Sequence, residues 1–277
     1  MGGGRLMADY TLREYRASDI PALSFLWRDV FGDPLPFTAE FYALLPDMGS
    51  AVVAEKDGRL VGAAHVLTGF ELVGKRKKAP VVGYIYAVMV ASEYRSLGIG
   101  KAITVEAAAL AKRRGATLLC TLPADAPLYG WYHRLLGFEC VLHRKEYEVG
   151  CQALADTMEL SATEYLHWRE KLLEGRNHLR PSQPTMEFQR RFCKFFGGGL
   201  YACQSGICTA ELDGDVCVIK ELITNTPEDC ITIAASVGRL LGARKTVYYL
   251  PAREGESYIS AQPGSIPADC VWNLAFD

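Results

Sequence analysis

The feature that constrains the fold most is a glycine-rich loop between an apolar run and a long helix-forming segment. The run 84-YIYAVMV-90 has the β-branched and aromatic residues of a buried strand, and 102-AITVEAAALAKRRG-115 has the composition of a helix. The stretch 94-YRSLGIGKAI-103 lies at this junction and contains Arg95, Gly98 and Gly100. A chain that alternates strand, loop and helix in this way is predicted to form a mixed α/β fold.

The junction has the chemistry of an anion site. The first N–H groups of a helix lack intrahelical acceptors and carry a partial positive charge. Gly98 and Gly100 let an anion approach the backbone closely, and Arg95 adds a charged donor. The spacing R-x-x-G-x-G suits a pyrophosphate, although the same glycines would also serve a tight turn with no ligand. The pattern is neither the dinucleotide G-x-G-x-x-G nor a P-loop, because no G-K-[ST] follows.

Composition excludes several classes of protein. Apolar content of 49%, charged content of 22% and a net charge of −2 indicate a globular chain without a nucleic-acid footprint. The one compact basic run, residues 75–78, is predicted to be a solvated hairpin loop. No apolar run reaches the ~18 residues of a membrane span. The nine cysteines show no metal-ligand spacing, so no metal is expected and reduced thiols in the cytoplasm are predicted.

Periodicity and turn residues predict the secondary structure. Asp57-Gly58 and Asp213-Gly214 are predicted hairpin turns, and Pro46 is predicted to stop a helix. The predicted helices cover 18–31, 38–45, 99–114, 126–136, 161–174, 185–196 and 227–241. The predicted strands cover 9–15, 50–56, 59–73, 81–90, 116–122, 138–149, 200–206, 207–223 and 245–250.

Two comparisons within the chain predict an internal repeat. RRGATLLCTLPA (113–124) resembles LLGARKTVYYLPA (240–252), and AVVAEKDGRLVGAA (51–64) resembles ICTAELDGDVCVIK (207–220). The second copy is about six residues shorter, and the shortfall lies where the first copy has EYRSLGIGK. One copy of the fold is therefore expected to lack the glycine-rich loop.

The order of these features resembles the GNAT N-acetyltransferase superfamily over residues 9–149. The R-x-x-G-x-G loop is followed by a helix, a strand that ends near Pro123, and 128-LYGWYHRLLGF-138. The ending Y-x-x-x-x-G-F is similar to the second signature of the family, with one extra residue. The resemblance implies two tandem GNAT-like domains, each with a mixed, mostly antiparallel sheet flanked by helices. Residues 1–150 would bind acetyl-CoA and catalyse, and residues 151–277 would be a degenerate copy.

The resemblance also implies an acetyl-CoA site and a mechanism. An acceptor amine would attack the thioester directly in a ternary complex, and Tyr132 would protonate the leaving thiolate or hold its sulfur. Tyr129 and Trp131 are competing aromatic side chains, and a role for Tyr132 in the core is the alternative. The pantetheine arm would pair with the strand near Val88, Met89 and Val90. The pyrophosphate would lie on Arg95, Ser96, Leu97, Gly98, Ile99, Gly100 and Lys101.

The general base and the acceptor stay open at this stage. The strand 84-YIYAVMV-90 has no carboxylate, so the base would be a water held by Tyr84 or Tyr86, or a side chain from elsewhere, with Glu71 and His65 as candidates. An acceptor amine of lowered pKa would need no strong base. Glu71 on a solvated strand surface and His65 as a satisfied core histidine are the alternatives. The acceptor would be a small-molecule or peptide amine, with no nucleic-acid or membrane partner. A CoA-binding sensor or scaffold without turnover is the competing hypothesis.

Overall fold

A computed structural model describes residues 9–74, 79–274 and 276 of the chain; the basic run at 75–78 lies outside them. Within the described residues there are seven α-helices, and short 3-10 turns at Ala17–Asp19 and Ser92–Tyr94. The helices are α1 (Ile20–Phe31), α2 (Leu35–Met48), α3 (Ile99–Arg113), α4 (Ala126–Leu136), α5 (Ala162–Leu172), α6 (Gln183–Phe195) and α7 (Asp229–Leu240).

The strands form one sheet with the order β1-β2-β3-β4-β5-β13-β6-β12-β11-β10-β9-β7, and β8 pairs with β3 outside this path. Their bounds are β1 (Thr11–Glu14), β2 (Gly49–Lys56), β3 (Arg59–Val73), β4 (Val81–Val90), β5 (Leu118–Thr121), β6 (Glu139–Gly150), β7 (Met158–Glu159), β8 (His178–Pro181), β9 (Gly199–Cys203), β10 (Gly206–Asp213), β11 (Val216–Thr224), β12 (Lys245–Ala252) and β13 (Glu256–Ala261).

Two pairs of neighbouring strands in this sheet are parallel, and each is connected by a helix. β4 pairs with β5 after a crossover through α3, and β11 pairs with β12 after a crossover through α7. The other strand pairs are antiparallel. The predicted mixed, mostly antiparallel α/β class is thereby confirmed. No helix in the described part of the chain is both long and apolar enough to cross a membrane.

The two halves of the chain share both the sheet and the core. β6 pairs with β12, and β13 from the end of the chain lies between β5 and β6. On one side of the sheet α2 packs against α6, with ring centroids 5.3 Å apart for Phe41 and Phe188 and 5.5 Å for Phe37 and Phe192. The division into domains at residue 150 stays a prediction, and the contact between halves creates the cleft described below.

Local signals predicted most element bounds to within about two residues. The turn at Asp57-Gly58 has φ values of 51° and 73°, as a tight hairpin of type I′ requires. α4 begins and ends at the predicted residues, because Asp125 caps its first turn and Gly137 ends it at φ 69°.

The predicted helix over 38–45 was wrong at both ends, since α2 spans Leu35–Met48. Pro36 lies in the first turn, where a missing N–H costs nothing. Pro46 removes one hydrogen bond near the end, yet the N–H of Gly49 still bonds to the Leu45 carbonyl. The short strands β7 and β8 and the strand β13 were not predicted at all.

Candidate active site

An opening between β4 and β5 is the centre of the candidate site. The two strands pair only from Val82 opposite Leu118 to Ile85 opposite Thr121. The hydroxyl of Thr121 donates to the Ile85 carbonyl at 2.9 Å and so closes the last rung of this ladder. β4 continues to Val90 beyond that point, whereas β5 ends. The backbone of residues 86–90 therefore faces an opening rather than a neighbouring strand on this side.

A bulge in β4 lies beside this opening. The register between β3 and β4 shifts between His65 opposite Tyr86 and Ala63 opposite Met89, and Ala87 has a φ of 45°. Left-handed backbone is costly for alanine, so other contacts must hold it. His65 is one of them, because its Nδ1 lies 3.1 Å from the Ala87 carbonyl oxygen.

His65 is fully buried and both ring nitrogens are occupied. A carbonyl only accepts, so Nδ1 carries the proton, and Nε2 accepts from the hydroxyl of Tyr42 at 3.0 Å. Burial lowers the pKa of His65 to about 4, and the backbone hydrogen bonds oppose this only in part. These contacts agree with the alternative of a satisfied core histidine and give His65 a positioning role at the bulge.

The buried neutral state of His65 predicts a pH-dependent stability. The folded pKa of about 4 lies below the ordinary 6.5, so the unfolded chain binds the proton first as pH falls. The stability that the neutral His65 contributes is complete above pH 6.5 and is lost as pH falls towards 4. The loss amounts to about 3 kcal/mol in total. We expect His65→Gln to flatten the fall in unfolding free energy over this window, as measured by urea denaturation.

The exposed His167 provides the control for this measurement. His167→Gln should retain the wild-type dependence on pH. Equal slopes for His65→Gln and the wild-type chain would contradict the assignment.

A cavity of about 270 Å³, here called the splay cavity, occupies the opening between β4 and β5. Its lining includes Trp27, Val88, Thr121, Leu128, Tyr132 and Phe276. Tyr132 is only 5% exposed, and its hydroxyl interacts with Thr121 at the last rung of the ladder. Burial raises the pKa of Tyr132 above its ordinary value, although the hydrogen bond with Thr121 lowers it in part. The phenol thus stays protonated at neutral pH and can donate a proton into the cavity.

The two competing aromatic side chains on α4 have other contacts. The hydroxyl of Tyr129 donates to the carbonyl oxygens of Ser257 at 2.6 Å and Tyr258 at 3.0 Å, which ties α4 to β13. Trp131 packs edge-on against the ring of Tyr132, with centroids 4.8 Å apart. Neither side chain lines the splay cavity. The structure therefore places Tyr132, and not Tyr129 or Trp131, in the lining of the cavity that Val88 also lines.

The glycine-rich loop connects β4 to α3, at the open end of the same strand. Ser96 and Gly98 have φ values of 65° and 82°, and Gly98 is the N-cap of α3. The first hydrogen bond of the helix runs from the Ala102 N–H to the Gly98 carbonyl. The amides of residues 99–101 therefore have no acceptor within the helix. Arg95 is exposed and donates to the Val90 carbonyl at 3.2 Å. The predicted anion-binding residues thus surround one helix N-terminus next to the end of β4.

At Gly100, a role in ligand binding can be distinguished from a role in packing. A Cβ added there would meet only Val90 Cγ2, at an ordinary 3.7 Å, and the φ of Gly100 is not left-handed. The fold itself therefore does not require glycine. We expect Gly100→Ala to keep or slightly raise stability, because alanine favours helices, and to weaken acetyl-CoA binding about tenfold or more by blocking close approach to the backbone.

Calorimetric titration and thermal unfolding measure the two effects separately. Gly150→Ala is the matched control, since a Cβ there meets nothing within 4 Å and lies away from the loop. Unchanged acetyl-CoA affinity in Gly100→Ala would contradict the pyrophosphate assignment.

The corresponding helix of the second half, α7, begins with two acidic side chains. Glu228 is the N-cap of α7, and Asp229 lies in its first turn. The Asp229 carboxylate accepts from the backbone N–H of Thr226 at 3.1 Å and from its hydroxyl at 2.8 Å. Two acidic side chains at this helix end repel an incoming phosphate. The absence of a second nucleotide site remains a prediction with this physical support.

Two of the four candidate residues for the general base line the splay cavity. Tyr84 and Tyr86 line the splay cavity, and the hydroxyl of Tyr86 donates to the Phe276 carbonyl at 3.4 Å. Glu71 pairs with Arg180 of β8, and neither Glu71 nor His65 lines the cavity.

The only charged side chain in the lining, among the described residues, is Asp33, which the sequence analysis did not identify. Its carboxylate accepts from the indole N–H of Trp27 at 2.8 Å. In the sequence it follows Gly32 and precedes Pro34, a pattern that indicates only a turn.

A family model described as an acetyltransferase (GNAT) domain matches residues 11–138. The matched segment contains the splay cavity strands, the glycine-rich loop and α4. No curated protein sequence matches the chain.

Solved structures with the same fold cover both halves of the chain. A GCN5-related N-acetyltransferase from Kribbella flavida has a TM-score of 0.69 at 16% identity, covering 91% of this chain and 70% of its own. A putative acetyltransferase from Pyrococcus horikoshii has a TM-score of 0.65 at 15% identity, with coverage of 97% and 94%. Eis1 from Mycobacterium abscessus has a TM-score of 0.59 at 15% identity, with coverage of 90% and 72%.

Proposed function

We propose that this protein transfers the acetyl group of acetyl-CoA to an amine, because residues 11–138 match a family model described as an acetyltransferase (GNAT) domain. The observation that carries the proposal is the alignment of three features along β4. The splay cavity flanks the strand, Tyr132 lines the cavity with Val88, and the helix N-terminus with Gly98 follows the strand end.

The donor would bind along β4. The amides of Ile99, Gly100 and Lys101 would bind the pyrophosphate together with Arg95, while Ser96 and Leu97 form the tip of the loop. The pantetheine arm would add hydrogen bonds to the backbone of Val88, Met89 and Val90, which β5 does not cover. The thioester would then reach the splay cavity, where a backbone N–H near Val88 polarises its carbonyl group. No metal takes part in this scheme.

The chemistry would be direct transfer between two bound reactants. The nitrogen of the acceptor attacks the thioester carbonyl carbon, a C–N bond forms, and the C–S bond breaks. Tyr132 gives its proton to the departing sulfur, for which a neutral phenol is suited. Holding both reactants in one cavity contributes several kcal/mol, about 7 or more in the best-oriented cases.

One observation favours the competing hypothesis of a CoA-binding sensor without turnover. β4 carries no carboxylate that could serve as a general base. The two hypotheses differ in acceptor-dependent release of thiol.

The test incubates the full chain with acetyl-CoA and a panel of primary amines, and follows free CoA thiol and acetylated product by mass spectrometry. Thiol release that depends on the amine supports the enzyme. Binding of acetyl-CoA without such release supports the sensor and overturns the proposed function. A reaction without amine measures background hydrolysis of the thioester.

The second half of the chain would shape the acceptor side of the site. Phe276 lines the splay cavity and also a neighbouring cleft with walls from α6, β10 and β11. We place the reaction in the cytoplasm, where thiols such as the nine unpaired cysteines stay reduced.

A further inference from the structure

We infer that Asp33 selects the acceptor: a primary amine that carries a positive charge in water and is attached to an apolar or aromatic body. The acceptor would enter from the cleft between the halves, and its ammonium group would meet Asp33. This inference deepens the proposed function and rests on it.

The first argument comes from the way the two cavities meet. The cleft between the halves, here called the acceptor cleft, has a volume of about 430 Å³ and adjoins the splay cavity. The residues that line both are Asp33, Tyr86 and Phe276. A ligand that occupies the acceptor cleft and extends towards the thioester must therefore pass Asp33.

The second argument is the charge of Asp33 itself. No lysine or arginine among the described residues forms an ion pair with it; its neutral donor is the indole N–H of Trp27, at 2.8 Å. The carboxylate lies just after the C-terminus of α1, where the helix dipole adds further negative potential. A half-buried carboxylate without a cation is stabilised by an incoming one. An ammonium group supplies that charge.

The cations of the acceptor cleft are engaged with other groups. Lys220 pairs with Glu211 at 2.7 Å, and Arg144 pairs with Glu256 at 3.1 Å. Arg144 also stacks on the ring of Tyr249, 4.3 Å from its centroid. An anionic acceptor would have to displace these partners, whereas an ammonium group at Asp33 displaces nothing.

The walls of the acceptor cleft specify the rest of the acceptor. Besides Asp33, the charged residues Arg144, Glu211, Asp213 and Lys220 line part of the cleft. Its aromatic walls come from both halves of the chain: Phe37, Tyr86, Phe192, Phe196, Tyr249 and Phe276. Such walls favour an apolar or aromatic body next to the amine, through burial and ring stacking.

The proton balance gives Asp33 a second task. The ammonium loses one proton before attack, and Asp33 accepts it and passes it to solvent. The amine nitrogen loses its second proton as the amide forms, and this proton restores the one that Tyr132 gives to the sulfur. Each turnover therefore converts an ammonium and a thioester into an amide, a thiol and one released proton.

Two probes of matched shape test the inference by calorimetric titration of the CoA-bound chain, without any need for turnover. 2-Phenylethylamine carries the ammonium group, and 2-phenylethanol is its uncharged counterpart. The wild-type chain is expected to bind the amine at least about tenfold more tightly than the alcohol, and Asp33→Asn to abolish that preference while CoA affinity stays unchanged. Asparagine still accepts from Trp27, which protects the fold.

Asp29→Asn is the matched control, since Asp29 lies on α1 four residues before Asp33, with its side chain 63% exposed and outside both cavities. It should retain the wild-type preference for the amine. Equal affinity of the wild-type chain for the two probes, failure to bind the amine, or a preference that survives in Asp33→Asn would each overturn the inference. Amine binding that depends on Asp33, without acetyl transfer, would instead reject the proposed function alone.

Discussion

Replacing Tyr132 by phenylalanine is expected to lower kcat about 100-fold or more while KM for acetyl-CoA changes little. General acid catalysis contributes this much or more, and 100-fold corresponds to about 3 kcal/mol of barrier. The structural basis is the position of the phenol beside Thr121, at the rung where β4 and β5 separate. Phenylalanine keeps the packing against Trp131 and removes only the proton donor.

Steady-state kinetics with a saturating amine measure this effect, and the pH dependence of kcat gives a second reading. Tyr129→Phe is the control on the same helix. It removes hydrogen bonds to Ser257 and Tyr258 and is expected to reduce stability rather than kcat. A large fall in kcat for Tyr129→Phe with normal kcat for Tyr132→Phe would reverse the assignment of the acid.

Replacing Arg169 by methionine is expected to destabilise the protein by about 3–5 kcal/mol. Arg169 is fully buried on α5, and its guanidinium forms a two-point contact with the carboxylate of Glu221 on β11, with both distances 3.0 Å. Glu221 is 1% exposed and also accepts from Tyr165. Removal of Arg169 leaves a buried carboxylate without a cation, which is the costly case.

A double variant distinguishes that charge penalty from lost packing. Arg169→Met with Glu221→Gln removes both charges and keeps an acceptor for Tyr165, so at least half of the lost stability should return. Arg244→Met breaks the exposed pair with Asp215 and should show no measurable change. Chemical denaturation of the full chain measures all three. A double variant no more stable than Arg169→Met would contradict the explanation.

Local interactions explain which parts of the fold could be predicted. The helix α4 follows from the cap at Asp125 and the left-handed Gly137, and both depend on neighbours within a few residues. β13 could not be predicted in this way. It lies between β5 and β6 through pairs such as Ser260 with Thr121, which are far apart in the chain. Such pairing depends on which edge of the sheet is open, and the periodicity of apolar residues carries no information about sheet edges.

The candidate site likewise contains residues that local sequence predicted and a residue that it did not. The loop with Arg95 and Gly98 was predicted because strand, glycines and helix are contiguous, and their covalent order already brings them to one helix N-terminus. Asp33 was not predicted, because it follows a helix end and has the local pattern of an ordinary turn. Only the packing of α1 against β4 brings its carboxylate into the cavity that Tyr132 and Val88 line.

By itself, then, the sequence determined the proposed donor side of this protein: a β4–loop–α3 unit whose backbone amides and glycines suit a pyrophosphate, and a tyrosine on the following helix. The tertiary structure alone decided the proposed acceptor side. The acceptor cleft has walls from α2, β4, β6, α6, β10, β11, β12 and Phe276, which are separated by long stretches of sequence. The physical reason is that a helix N-terminus is an anion site through its own hydrogen-bond geometry, whereas a cleft exists only after distant surfaces have packed.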